Sequence, residues 1–280
     1  MTDLSIRVMR PNEIGVAIDW AAAEGWNPGH ADAACFVAED PDAFLVGELD
    51  GAPAATVSCV HYGEGFAFLG FYIVRPDLRG RGHGLAIWNA ALARAGARVI
   101  GLDGVVAQQD NYRKSGFELA HRNIRYGGTP AAFAEPREQV IDLANVSFAI
   151  LAADDATVFP APRWTFLRAW TQAPDHLGRA LVRDGRLAGW GVIRPCRKGA
   201  KIGPLIADDR AGAEALLAGL LAAAGPGEVF LDAPANNREA LALAEELGLT
   251  PVFETARMYT GAVAPTRTDR VFGVTSFELG

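Results

Sequence analysis

The chain has 280 residues, half of them hydrophobic, and a formal charge of −7. That length suits two domains with sizeable cores. The acidic balance argues against non-specific nucleic-acid binding, and it suits a cationic or amine substrate only weakly. The start, Met1 to Arg7, has no basic region followed by an apolar core, so no signal peptide is expected. The longest apolar run, 215–224, is too short to span a bilayer. Cys35, Cys59 and Cys196 are an odd, widely spaced set that predicts neither a disulfide framework nor a metal knuckle. The histidines have no ligand-like spacing, so no metal is expected. A cytoplasmic, reducing location is the simplest expectation.

In chain order, Ser5 to Met9 reads as a first strand. Pro11-Asn12-Glu13 is a helix-start signal, and Ile14, Ala17, Ile18, Ala21 and Ala22 follow at helical spacing. Glu24 to Gly29 is a breaker-rich loop holding Trp26, which either faces a ligand or plugs the core beneath a turn. Asp32 to Ala38 predicts a second short helix. Phe44–Leu49, Asp50-Gly51 and Ala54–Val60 read as a hairpin with Asp-Gly at its turn. A second turn at 61–65 leads into an apolar, aromatic and β-branched strand, Phe66 to Val74.

Pro76 ends that strand, since proline cannot donate to a ladder. Gly80, Gly82 and Gly84 then alternate with Arg79, Arg81 and His83 before the helix that carries Leu85, Trp88, Leu92 and Ala95 on one face. Glycines let backbone N–H groups approach a ligand, and a helix start adds unpartnered N–H groups and partial positive charge. Together they predict an anion cradle, against the blander reading of a glycine-rich turn. The cradle is not a Walker loop, because no Gly-Lys-Ser/Thr follows, and its glycine spacing is wrong for a dinucleotide fingerprint. Beyond it come a strand over 98–106, a polar loop at 108–111, and Tyr112-Arg113-Lys114-Ser115-Gly116-Phe117, a short helix closed by glycine. Strands at 117–119 and 122–126 complete the unit.

Arg79-x-x-Gly82-x-Gly84, directly after Ile73-Val74-Arg75-Pro76, resembles the acyl-CoA site of the GNAT superfamily of N-acyltransferases. Tyr112-x-x-x-Gly116-Phe117 resembles that family's other recurrent motif, and the order of elements over 5–126 is similar too. The resemblance implies an α/β (α+β) fold, a mixed, mostly antiparallel sheet flanked by helices. It also implies acetyl-CoA as co-substrate and direct transfer of the acetyl group to an amine in a ternary complex. The acceptor is then a small-molecule or peptide amine, with no nucleic acid or membrane partner, and the protein a monomer or homodimer.

The second half echoes the first. Ala180–Gly185 repeats the strand and turn of the first hairpin, and Val229–Ala233 matches 99–104 in pattern. Gly248-Leu249 with Arg257 matches Gly116-Phe117 with Arg125, nine residues on in each case. We therefore expect tandem GNAT-like domains over 1–128 and 140–280, joined by a linker at 129–139. The copy has lost its chemistry. Asp208-Asp209 and alanines stand where the cradle has arginine and glycines, and Ala244 stands near the place of Tyr112. The second half is expected to bind no CoA and to help wall the acceptor pocket, with 159–164 a possible wall or an ordinary interdomain turn.

The resemblance also assigns residues. Arg79, Gly80, Arg81, Gly82, His83 and Gly84 would hold the pyrophosphate, arginine being suited to bidentate phosphate contacts. Tyr72, Ile73 and Val74 would pair with pantetheine as an added strand. Tyr112, with Asn111 beside it, would contact the cofactor, and Tyr112 would protonate the departing thiolate. Many relatives carry a carboxylate base about where Phe68 stands here. The proton acceptor must therefore come from elsewhere, with Glu24, His61, Glu64 and Asp103 as candidates, or a water chain must serve. Glu24 is the expected base, since it flanks the Trp26 loop, while Trp26, Glu64 and Asp103 are expected to face the acceptor. A non-catalytic acyl-CoA-binding or regulatory module is the competing reading, because that strand lacks a carboxylate.

Overall fold

In a computed structural model the described residues are 4–131 and 138–280. Residues 132–137 of the expected linker lie outside them. The first half runs β1 (Ser5–Val8), α1 (Ile14–Ala23), α2 (Asp32–Glu39), β2 (Phe44–Leu49), β3 (Ala52–Tyr62), β4 (Phe66–Val74), α3 (His83–Ala95), β5 (Val99–Val105), α4 (Gln109–Lys114) and β6 (Glu118–Gly128). The second repeats this order as β7 (Ile141–Asp142), α5 (Phe148–Asp155), α6 (Trp164–Gln172), β8 (Leu177–Arg183), β9 (Arg186–Pro195), β10 (Ala200–Ala207), α7 (Arg210–Ala224), β11 (Val229–Pro234), α8 (Arg238–Glu246) and β12 (Thr250–Tyr259). A short extra strand, β13 (Val271–Gly273), follows.

The expected turns form in both halves. Asp50-Gly51 and Asp184-Gly185 close their hairpins with positive φ at both residues, 51° and 77° against 50° and 72°. Those dihedrals are what a two-residue hairpin loop needs to match the strand twist. One expectation is corrected. The strands read separately at 117–119 and 122–126 are a single strand, β6. It lies between two neighbours, and the register shift opposite Arg257 and Met258 of β12 absorbs Ala120 as an extra residue.

All strands join one sheet, in the order β1-β2-β3-β4-β5-β12-β6-β11-β10-β9-β8-β7, with β13 pairing β10. Pairing is antiparallel except for β4–β5 and β10–β11. The halves exchange their last strands. β12 pairs with β5 of the first half, β6 pairs with β11 of the second, and β12 and β6 pair with each other at the centre.

Two equivalent ion pairs mark the exchange. Arg125 of β6 sits opposite Asp232 of β11 and donates to both carboxylate oxygens at 2.6 and 2.7 Å. Arg257 of β12 sits opposite Asp103 of β5 and does the same at 2.8 and 2.6 Å. All four side chains are buried. A buried pair contributes little net stability, but a slipped register would leave each charge unpaired at a cost of several kcal/mol. The pairs therefore penalise a slipped register of these strands.

Three apolar clusters hold the layers together. One lies under α3 and one under α7 and α8. The largest joins the halves, with Phe36 of α2 stacked on Trp170 of α6 at 6.2 Å. Beside that stack, Asp32 binds Arg194 of β9 at 2.8 Å, and both side chains are buried.

Candidate active site

β4 and β5 run together only from the Phe66–Val99 pair to the Leu69–Leu102 pair. From Gly70 onward they diverge. The divergence coincides with a bulge in β4, where the register against β3 shifts between Thr56 and Ser58. Phe71 takes φ +49° there, an outlier for a bulky residue. The Thr56 hydroxyl donates to the Phe71 carbonyl at 2.8 Å and holds the bulge. A cleft of about 370 Å³ opens in the wedge, lined by Leu69 to Val74 of β4, Leu102 to Val105 of β5, and residues of α3, α4 and the Trp26 loop.

At one end of the cleft the chain leaves β4 through a turn at Pro76–Leu78 and enters α3. Gly80 and Gly82 have φ of +76° and +87° with open space beside them, so glycine is needed there for conformation. Gly82 is the N-cap of α3 and supplies no side-chain cap, leaving that helix start bare. Arg79 donates from Nε to the Val74 carbonyl at 2.9 Å, and its Nη2 contacts the Glu24 carboxylate.

Two tyrosines face the cleft from opposite walls, and two glycines make room for them. A Cβ at Gly84 would lie 2.7 Å from the Tyr72 hydroxyl oxygen, and one at Gly104 would lie 2.2 Å from Cε2 of Tyr112. Trp88 packs against both rings, at 5.1 Å from Tyr72 and 5.4 Å from Tyr112. Burial, with the nearby Tyr72, pushes the Tyr112 phenol above its ordinary value. Tyr112 therefore carries its proton at neutral pH.

The other end is walled by the second half. The Trp26 carbonyl accepts from Arg125 at 2.6 Å and from Lys201 at 3.3 Å. Asn27 exchanges hydrogen bonds with Lys198, both at 2.9 Å. These contacts hold the loop while the Trp26 ring lines the cleft, with Phe253 and Thr255 of β12 and Phe277 and Glu278 of the terminal segment.

Of the residues expected at the site, Glu24, Trp26, Tyr72, Ile73, Val74, Arg79, Gly80, Gly84, Asp103 and Tyr112 line this one cleft. Arg81, Gly82 and His83 complete the adjoining loop and first helical turn. Asn111 is exposed on α4 and donates to the Gln108 side chain at 2.7 Å. The three acidic residues expected at the site are placed differently, and only Glu64 falls outside the cleft. Glu64 stands fully exposed in the turn before β4, paired with Arg98 at 3.5 Å, at the far end of a nine-residue strand from the cradle. Asp103 reaches the cleft, but its oxygens are held by Arg257 and by Asn123 at 2.8 Å. Glu24 is engaged with Arg79 beside the cradle. His61 is outside the cleft, 3.1 Å from the Arg94 carbonyl. Phe159 and Pro160, in the expected wall segment, line a separate cavity of about 60 Å³, and Trp164 is exposed.

Sequence reasoning missed Thr255, Phe253, Phe277 and Glu278. The only signal for the last was a single acid inside an otherwise uncharged terminal run, Val271 to Gly280.

The equivalent wedge of the second half is filled. β10 and β11 pair only from Ala200–Val229 to Ile202–Leu231. Beyond that point β13 lies against β10, and Val274 donates to the Asp232 carbonyl of β11 at 2.9 Å. The start of α7 is also occupied. Asp209 caps it by accepting from the Gly212 N–H at 2.8 Å, and Arg183 binds the same carboxylate at 2.7 and 3.0 Å. The expected acid thus stands on the N–H groups a phosphate would need.

Residues 15–117 match the family model described as "Acetyltransferase (GNAT) family", and residues 152–273 match "Acetyltransferase (GNAT) domain". The chain belongs to the GNAT acyltransferase superfamily. It is a tandem GNAT protein whose second domain has lost the cradle. It is 29% identical over 263 residues to holothin acyltransferase of Pseudoalteromonas sp. (strain SANK 73390), covering 94% of this chain and 90% of that one. The fold is similar to a candidate acetyltransferase from Pyrococcus horikoshii (TM-score 0.84, 22% identity, 100% of this chain and 97% of that one). It is also similar to a tandem GNAT protein of the clavulanic acid biosynthesis pathway (TM-score 0.65, 16% identity, 93% and 98%). Acyl-CoA is the ligand class of this fold, and no helix among the described residues is long and apolar enough to cross a membrane.

Proposed function

We propose that this tandem GNAT chain is an acetyl-CoA-dependent N-acetyltransferase that passes the acetyl group directly to an amine within a ternary complex. The observation that carries this reading is the asymmetry between the two wedges. The first is open, glycine-lined and ends on an uncapped helix start, while the second is filled by β13 and capped by Asp209.

In this reading Gly80 to Gly84, with Arg79, Arg81 and His83, hold the pyrophosphate against the start of α3. Arg79 exchanges Glu24 for a phosphate as the co-substrate binds. Pantetheine lies in the wedge along Tyr72, Ile73 and Val74, where β4 has lost its β5 partner, and adds to the sheet as a strand. The bulge at Phe71 leaves backbone groups at the point where the thioester carbonyl lies, which suits stabilisation of the developing oxyanion. The amine enters from the side of Trp26, attacks the carbonyl carbon and displaces the thiolate. Tyr112, raised by burial and protonated, gives that sulfur its proton.

Calorimetry with acetyl-CoA and thiol release across a panel of amines test the reading. It expects one binding event and release of CoA that depends on the amine. Binding without amine-dependent release at any pH would leave an acyl-CoA-binding module instead.

A further inference from the structure

Glu278 is the one buried carboxylate lining the cleft whose oxygens, among the described residues, have no hydrogen-bond partner. It is held rigidly by its own backbone. A Cβ at Gly70 would lie 2.2 Å from the Glu278 carbonyl oxygen, so the terminal segment rests directly on β4 where β4 leaves β5. Neighbouring contacts fix the segment on both sides. The Tyr62 hydroxyl donates to the Leu279 carbonyl at 3.1 Å, and the Leu279 N–H donates to the Ser276 hydroxyl at 3.1 Å.

Charged side chains of both signs surround Glu278. Arg125 is matched by Asp232 and Arg194 by Asp32. That leaves Lys201 of β10, which is buried and makes no salt bridge among the described residues. Lys201 and Arg125 favour the ionised carboxylate, Asp32 and Asp232 oppose it, and Glu278 in turn favours the charged form of Arg194. Burial raises its proton affinity, opposed by Lys201 and Arg125. A second unpartnered buried atom, the Thr255 hydroxyl oxygen, belongs to the same wall, together with the aromatic rings of Trp26, Phe253 and Phe277.

We infer that Glu278 is the general base of this site and takes the proton from an acceptor amine carried on a small, apolar or aromatic body. The inference rests on the acyltransferase reading above. As the nitrogen attacks, the C–N bond forms and the C–S bond breaks. The nitrogen loses one proton to the Glu278 carboxylate, and the thiolate takes one from Tyr112. The two groups then exchange protons with solvent once product leaves, so the net reaction is amine plus thioester to amide plus thiol. The same segment thus has two roles: β13 fills the dead wedge, and the residues after it carry a base to the live one.

The test uses the full chain with acetyl-CoA and a panel of arylamines and alkylamines. An arylamine is already unprotonated near neutral pH, so an acidic limb in its rate profile belongs to the enzyme. The wild type is expected to show such a limb, with activity rising with pH as Glu278 ionises. Glu278→Gln is expected to bind acetyl-CoA within about twofold of wild type, to lose turnover on the order of 10²-fold or more, and to lose the limb. Glu278→Asp is expected to recover part of the rate and the limb. A third variant, Thr255→Val, is expected to raise KM for the amine while leaving the limb in place. Wild type that binds no acetyl-CoA defeats the underlying reading. Wild type that turns over with no acidic limb, or Glu278→Gln that matches it at every pH, defeats the assignment of Glu278 alone.

Discussion

Gly70 and Glu278 touch backbone to backbone across the two halves of the chain, with no room for a Cβ between them. Gly70→Ala must therefore push the terminal segment off β4. Overpacking of this kind costs about 1–3 kcal/mol. The expected result is a lower melting temperature together with a loss of turnover larger than the loss of acetyl-CoA affinity. Scanning calorimetry and steady-state kinetics on the same preparation check both.

Tyr112→Phe keeps the ring that packs on Trp88 and removes the proton donor. Turnover is expected to fall by roughly 10²-fold or more, with acetyl-CoA affinity nearly unchanged. The sign of the pH effect follows from the raised phenol. The donor is active while protonated, so the wild type loses activity from this group only above the ordinary tyrosine range. A kcat profile that falls through neutral pH and is flattened by Tyr112→Phe would contradict the role.

Glu24 separates two roles cleanly. Its partner in the structure is Arg79 of the cradle. Exposed pairs of this kind are worth about 0.2–1 kcal/mol. Glu24→Gln is therefore expected to tighten acetyl-CoA binding by a few-fold and to leave kcat in place. If Glu24 were instead the base, kcat would collapse and affinity would not improve. Isothermal titration beside initial rates distinguishes the outcomes.

Asp103 and Asp232 are expected to behave as structural twins. Removing the acid from either pair leaves a buried guanidinium and costs about 3–5 kcal/mol, read by denaturant unfolding of Asp103→Asn and Asp232→Asn. Replacing both members, as in Arg257→Met with Asp103→Leu, is expected to restore most of that loss. Failure of the double replacement to recover stability would argue against the buried-charge explanation.

Much of this was legible because it is local. Asp50-Gly51 and Asp184-Gly185 dictate their turns, Gly80 and Gly82 dictate positive φ before α3, and the match of Gly248 and Arg257 to Gly116 and Arg125 reveals the duplication. Asp209 was readable as an acid on the wrong helix start. What stayed hidden depends on strand partners far apart in sequence. Nothing near Asp103 says that Arg257 will lie opposite it, since that follows from the exchange of β6 and β12. The role of Glu278 depends on a segment of the second half crossing to β4 of the first. Glu64 misled for the same reason: it adjoins β4 in sequence but stands at the wrong end of it.

On the function proposed, the chain has one working acyl-CoA cleft, in its first half. Titration of the full chain with acetyl-CoA, repeated with Gly82→Glu and with Asp209→Ala, tests it most directly. The expected result is one site per chain, abolished by Gly82→Glu, where φ is +87° and a carboxylate would face the phosphates. Asp209→Ala should leave that site untouched while costing about 1 kcal/mol of stability through the lost helix cap. Two sites per chain, or a site that survives Gly82→Glu, would contradict it.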